Sequence, residues 1–250
     1  MHSTQDFFDI LQAVTVDCKD NGESFTVAYR VAEIERMLEK TGYRLISRQP
    51  IALLYAKRPL REGDRVLLIS SHIDCVYSRC FCNDEGDCLR GTFDNSFGNA
   101  AVLWNMIHNR LPDNVVIAFT GDEERDSRGA LQVVEALGKF GVEVTTALVQ
   151  DVTNVGWESC AIFAIENDLG IDILTGYNII SSLEQYGGRF AFKHNALPDE
   201  SWDYADCGIP SFSLCVPVCG DLHGDAGVLL RKESALEYCN VLSLLASLLS

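Results

Sequence analysis

The 250-residue chain contains no apolar run long enough to span a bilayer. Its first residues, MHSTQDFFDILQAV, have neither the basic start nor the long apolar core of an export signal. The expectation is a cytoplasmic protein. Basic residues are scarce, 20 against 36 acidic, for a formal net charge of −16. That balance argues against nucleic acid and anionic membranes as partners. There is no internal repeat and no low-complexity tract. Also missing is the paired C-x2-C spacing of common structural zinc sites, although the chain has ten cysteines.

Apolar residues make up 47% of the chain, enough for an ample core without covalent staples. Cys160, Cys215 and Cys239 fall in apolar runs and read as small buried hydrophobes. Cys75, Cys80, Cys82 and Cys88 cluster in an apparent loop. Reduced thiols are the favoured reading there, with a disulfide or a metal as the alternatives.

Residues 24–41 carry helical apolar spacing, with Gly42 as the stop. Strand patterns follow at 43–48, 51–57 and 66–71. A helix is expected at 95–110, a strand at 115–120, a helix at 127–140 and a strand at 146–151. Weaker patterns suggest a strand at 161–165 and a helix at 178–186. A strand at 211–216 and an apolar-rich helix at 232–249 close the chain. Strands alternating with helices predict an α/β fold in three layers, a mixed and largely parallel sheet between helices. In such sheets ligands bind beyond the carboxyl ends of the strands.

Six residues sit at strand ends or turn starts: His72, Asp94, Glu123, Glu124, Asp151 and His223. His72 and Asp74 form H-x-D after VLLISS, on one strand face. Asp94 precedes Asn95 and a helix. Glu123 and Glu124 follow Gly121-Asp122 at the end of VVIAFT. Asp151 closes ALVQD, and His223 lies between Leu222 and Gly224. Each has an ordinary reading when taken alone. Asp94 and Asp151 suit helix or turn caps, the glutamates suit a solvated acidic turn, and a loop histidine is usually just solvated. Together, two imidazoles and four carboxylates in these places are what two divalent metals and a general base need.

In these residues the chain resembles the di-zinc exopeptidases, the aminopeptidase and carboxypeptidase superfamily with co-catalytic zinc. The pattern of that family is H-x-D, an Asp before Asn or Asp, a Glu-Glu pair, an Asp and a late His. Here it reads His72-Ile73-Asp74, Asp94-Asn95, Glu123-Glu124, Asp151 and His223, with Gly129-Ala130 and Gly208-Ile209-Pro210 in matching places. The resemblance implies that Asp94 bridges two metal ions, expected to be zinc. His72 and Asp151 would complete one site, Glu124 and His223 the other. It further implies Glu123 as general base, Asp74 orienting His72, and a cis peptide at Asp94–Asn95.

Asp74 and Asp94 stand 20 positions apart, and Asp151 and His223 72. Neither gap holds the extra domain some relatives insert. The expectation is a single catalytic domain over 1–250, without a lid or dimerisation domain, which tilts toward an aminopeptidase. The substrate would be a peptide or small amide, and a homo-oligomer is allowed. A deacylase or carboxypeptidase remains open, with Arg79, Arg90, Arg125 or Arg128 reading a substrate carboxylate. A non-catalytic metal-binding relative also remains open.

Overall fold

A computed structural model describes residues 4–15 and 28–250. His2, Cys18 and the start of the expected 24–41 helix lie outside the described residues. The chain opens with α1 (Thr4–Val14) and α2 (Ala28–Leu38), then β1 (Arg44–Gln49), β2 (Ala52–Ala56) and β3 (Arg65–His72). A hairpin of β4 (Cys82–Glu85) and β5 (Cys88–Gly91) leads to α3 (Ser96–Ile107), β6 (Val115–Thr120), α4 (Arg128–Phe140) and β7 (Glu143–Thr153). Then come β8 (Phe163–Leu169), α5 (Ile173–Leu183), β9 (Phe190–Lys193), α6 (Glu200–Asp206), β10 (Ser211–Cys219), β11 (Val228–Arg231) and α7 (Lys232–Leu249).

The main sheet runs β1-β2-β6-β3-β7-β10-β8-β9, and its centre, β6-β3-β7-β10, is parallel. The far end of β10 leaves this sheet to pair β11, which carries the β5–β4 hairpin. Side-chain alternation along β3 explains the three layers. Leu67 and Ile69 join a core with Phe97 of α3 and Leu242 of α7; Val66 and Leu68 join another with Val133 of α4 and Tyr204 of α6. The sheet is thus apolar on both faces, as its uninterrupted hydrophobic strands require. No described helix is long and apolar enough to cross a membrane.

The fold corrects two readings. The cysteine-rich segment is not all loop: Cys82 and Cys88 stand on the strands of a hairpin turned at Gly86, φ +78°. Its strand CNDE is too polar and too short to show a β pattern. Cys160 is exposed rather than buried. It ends a turn in which its N–H bonds Trp157 O at 3.1 Å, with φ at +55°. Cys215 and Cys239 are buried as expected.

One buried cation links the N-terminal helices to the sheet. Arg30 of α2 is fully buried; its Nε donates to Val14 O at 2.8 Å and its Nη1 to Ile73 O at 2.7 Å. Ile73 is the middle residue of the H-x-D motif.

Candidate functional site

Because β3, β6, β7 and β10 are parallel, their carboxyl ends share one edge. His72 is the last residue of β3, and Asp151 lies two residues before the end of β7. Glu123 and Glu124 occupy the turn after β6, and His223 the loop after β10. Asp94 arrives from outside the sheet, just before α3, and its peptide bond to Asn95 is cis.

All the expected residues converge. His72 Nε2 lies 3.0 Å from Asp94 Oδ1, 3.7 Å from Asp151 Oδ1 and 3.9 Å from Glu123 Oε2. His223 Nε2 lies 3.4 Å from Asp94 Oδ2 and 3.5 Å from Glu124 Oε2. Each oxygen of Asp94 therefore faces a different imidazole. Two ligand sets share Asp94, one with His72 and Asp151, the other with Glu124 and His223. Within each set the donor atoms lie within 4.8 Å of one another, and His72, Glu123 and Glu124 form a third such set. Asp74 Oδ1 stands 3.4 Å from His72 Nδ1, while its Oδ2 accepts the Glu124 N–H at 3.2 Å.

The donor set fits divalent cations. Both ring nitrogens of His72, Asp94 Oδ1 and Glu124 Oε1 are buried without a hydrogen-bond partner among the described residues. Such atoms are costly to bury unless something charged completes them. Imidazole with carboxylate suits zinc and also manganese or cobalt.

The electrostatics agree. Burial, and then the charges of Asp151, Asp94 and Glu200 against the pull of His72, push the Glu123 carboxyl up to about 9. Burial and Asp94 raise Glu124 to about 7; burial and Asp94 raise Asp151 to about 6 against the opposing pull of His72. Burial also raises Glu200 to about 7. For His72 burial works downward, but Glu123, Asp151, Asp74 and Asp94 outweigh it and hold its pKa well above 6.5. Asp94 lifts His223 to about 9. Asp94 itself falls to about 2, since the two imidazoles overcome its burial.

Every one of these groups except Asp94 holds its proton more tightly folded than unfolded. Their contribution to stability is complete at acid pH and is lost as pH climbs toward 9. The opposing window of Asp94 lies below its ordinary 3.8. Metal-free protein is therefore expected to melt at lower temperature at pH 8.5 than at pH 6. Added zinc should raise Tm more at the higher pH, because ligands release protons on binding. Thermal melts with a chelator and with zinc check this; a metal-free Tm rising across that range would contradict it.

Sequence reading missed the supports beneath the cluster. Asn99 Nδ2 donates to His72 O at 2.9 Å and Asn95 O at 2.8 Å, and Ser71 Oγ donates to Asn99 Oδ1 at 3.1 Å. Asn95 Nδ2 donates to Gln150 O at 2.5 Å, and the Tyr238 hydroxyl to Gln150 Oε1 at 3.0 Å. On the other face, Ser70 Oγ donates to Glu200 Oε2 at 2.8 Å and contacts the Tyr204 hydroxyl at 2.9 Å. The His223 loop is held from the segment after H-x-D: the Tyr77 hydroxyl donates to Leu222 O, and Ser78 N–H to Asp225 Oδ1 at 3.1 Å. Gly129 seats α4 against the glutamate turn, since a Cβ there would lie 2.4 Å from Gly121 O.

A cavity of about 300 Å³ opens over the cluster, bounded by Asp94, Glu123, Asp151 and His223 on one side and by Glu166, Leu197 and Asp199 beyond. Of the four candidate arginines, Arg90 pairs with Glu85 and Arg128 with Asp122, whereas Arg125 lines this cavity.

The sheet and its connections match, in fold, those of several solved peptidase structures. A TET1 peptidase of Pyrococcus horikoshii matches with a TM-score of 0.69 at 13% identity, over 98% of this chain and 99% of its own. The LapA aminopeptidase of Legionella pneumophila matches at 0.67 and 13%, over 99% and 72%. BSAP, a zinc aminopeptidase from Bacillus subtilis, matches at 0.57 and 15%, over 78% and 48%. At such identities the likeness is one of fold. No family model matches the sequence, and no curated protein is similar to it.

Proposed function

We propose that this chain is a zinc-dependent exopeptidase, an aminopeptidase acting on peptides or small amides, with one catalytic domain. The observation that carries the reading is the pair of ligand sets sharing Asp94, with Glu123 beside them at the mouth of one cavity. His72, Asp94 and Asp151 would hold one ion; Asp94, Glu124 and His223 the second. Two divalent ions in those places supply Lewis acidity toward a carbonyl oxygen and a water. Glu123 receives a proton from the attacking water and returns it to the leaving amine, so acid and amine are released with the water consumed. Asp74, whose Oδ1 stands 3.4 Å from His72 Nδ1, would orient that ring, and through the Glu124 N–H it holds the turn that carries Glu123.

Support for an aminopeptidase comes from the structural relatives named as such and from the absence of spare arginines at Arg90 and Arg128. Arg125 in the cavity favours a second reading, a deacylase or carboxypeptidase that grips a carboxylate. Zinc-loaded protein offered peptides blocked at one end distinguishes the two. The aminopeptidase cleaves C-amidated peptides and spares N-acetylated ones; the reverse result would defeat it.

His223 is the exposed member of its ligand set, with 59% of its side chain accessible. His223→Ala is expected to retain about one tightly bound ion of two, because His72, Asp94 and Asp151 remain, and to lose most turnover. Metal analysis after dialysis reads this directly.

We also infer self-association. Ile173, Leu174 and Tyr177 of α5 lie exposed, and the exposed Phe192 of β9 lines one recess with Ile173 and Tyr177; the structure of a TET1 peptidase of similar fold is a dodecamer. Exposed apolar patches of this kind commonly mark interfaces.

A further inference from the structure

Beyond the six clustered residues the cavity reaches a second wall, built from Thr153 at the end of β7, Glu166 on β8 and the segment between β9 and α6. Glu166 is only 7% exposed. Its Oε1 accepts from the Thr153 hydroxyl at 2.8 Å. No ammonium or guanidinium among the described residues lies within ion-pair distance of it. Lys193 is its register partner on β9 and acts on it by charge alone, from an exposed position. The other carboxylate of this wall, Asp199, is committed to structure. Its Oδ1 accepts from Ser201 N–H at 2.8 Å and from the Ser201 hydroxyl, and its Oδ2 from the Ser213 hydroxyl. Glu166 is thus a buried carboxylate with no cationic partner in contact, facing a cavity. Burial raises its pKa, and the charges acting on it are those of Lys193 and Asp199, not those of the clustered six.

We propose that Glu166 is a specificity-determining residue that receives the protonated side chain of a lysine or arginine at the N-terminus of the substrate. This rests on the aminopeptidase reading and names its substrate class. The aliphatic stem of such a side chain would lie against Val152, Leu197 and Pro198. Its charged head would give Glu166 the charge-assisted hydrogen bond that the protein itself does not provide. A neutral side chain of equal length leaves the carboxylate buried and unpaired, the mismatch sites discriminate against most strongly. An acidic side chain meets like charge from Glu166 and Asp199. Lys193, exposed but lining the same cavity, offsets this in part.

The test compares lysyl, arginyl, norleucyl and glutamyl amides on zinc-loaded protein. Lysyl and arginyl kcat/KM should exceed norleucyl by about tenfold or more, as a charged hydrogen bond implies. Glu166→Gln should erase that preference while leaving norleucyl turnover within about threefold. Thr153→Val, which removes the hydroxyl that orients Glu166 Oε1, should weaken the preference in part. Norleucyl turnover equal to or above lysyl in the parent, or an equal fall for all four substrates in Glu166→Gln, overturns the proposal. Calorimetry of free L-lysine against L-norleucine reads Glu166 without turnover. If no amide is cleaved but lysine binds tighter and Glu166→Gln abolishes the difference, the recess stands and the aminopeptidase reading falls. If lysine binds no tighter than norleucine, the recess falls.

Discussion

Glu123→Gln is expected to lower kcat by about 10²- to 10⁴-fold, the range over which a positioned general base contributes, with both ions still bound. Glutamine keeps the shape of the side chain and removes its capacity to take a proton. Glu123 Oε2 lies 3.9 Å from His72 Nε2, farther than the 3.0 Å of Asp94 Oδ1, and Glu123 belongs to neither of the two ligand sets that share Asp94. Its high proton affinity without metal comes from burial first and from neighbouring carboxylates next. Cations among those carboxylates would lower it toward the neutral range, where a base both accepts and returns a proton. Zinc content after dialysis together with steady-state rates checks the split. A variant with unchanged kcat removes Glu123 from the role. One that loses its metal makes Glu123 a ligand instead.

Asp94→Ala is expected to have the broadest effect, with bound metal falling from two ions per chain toward none and turnover abolished. Asp94 alone presents one oxygen to His72 and the other to His223. Every other ligand belongs to one set of the pair, so its loss leaves a partner set standing, as argued for His223. The same substitution takes one anionic donor from each set, which weakens both. A variant that retains two ions as tightly as the parent would overturn the assignment of both sets.

Much of this arrangement was legible because the strands announce themselves. VLLI and VVIAF are apolar runs that pass through a few small polar residues to a histidine or an acidic turn, and burial on both faces of a parallel sheet requires such runs. The cis peptide at Asp94–Asn95 fell where the resemblance placed it. What escaped was polar and short. The helix ESWDYAD looks like a surface loop, yet it buries Glu200 and Tyr204 against Ser70. Its burial comes from tertiary packing, which no local period reports. The β4–β5 hairpin failed for the same reason, its strands being stabilised by pairing with β11 rather than by an apolar face. Asn99 reads as an ordinary helix residue until its amide is seen holding the carbonyl of His72. Glu166 sits in a strand sequence, FAIENDL, where one glutamate gives no hint that it faces a cavity.

Arg30 carries a consequence for anyone reshaping this chain. Its guanidinium joins the end of α1 to the carbonyl between His72 and Asp74, so the two leading helices are plumbed into the chemistry although neither reaches it. Trimming them to obtain a smaller catalyst would strip a donor from the backbone that aims the first histidine. The N-terminal helices are therefore a fixed part of the minimal unit, and shortening belongs elsewhere on the surface.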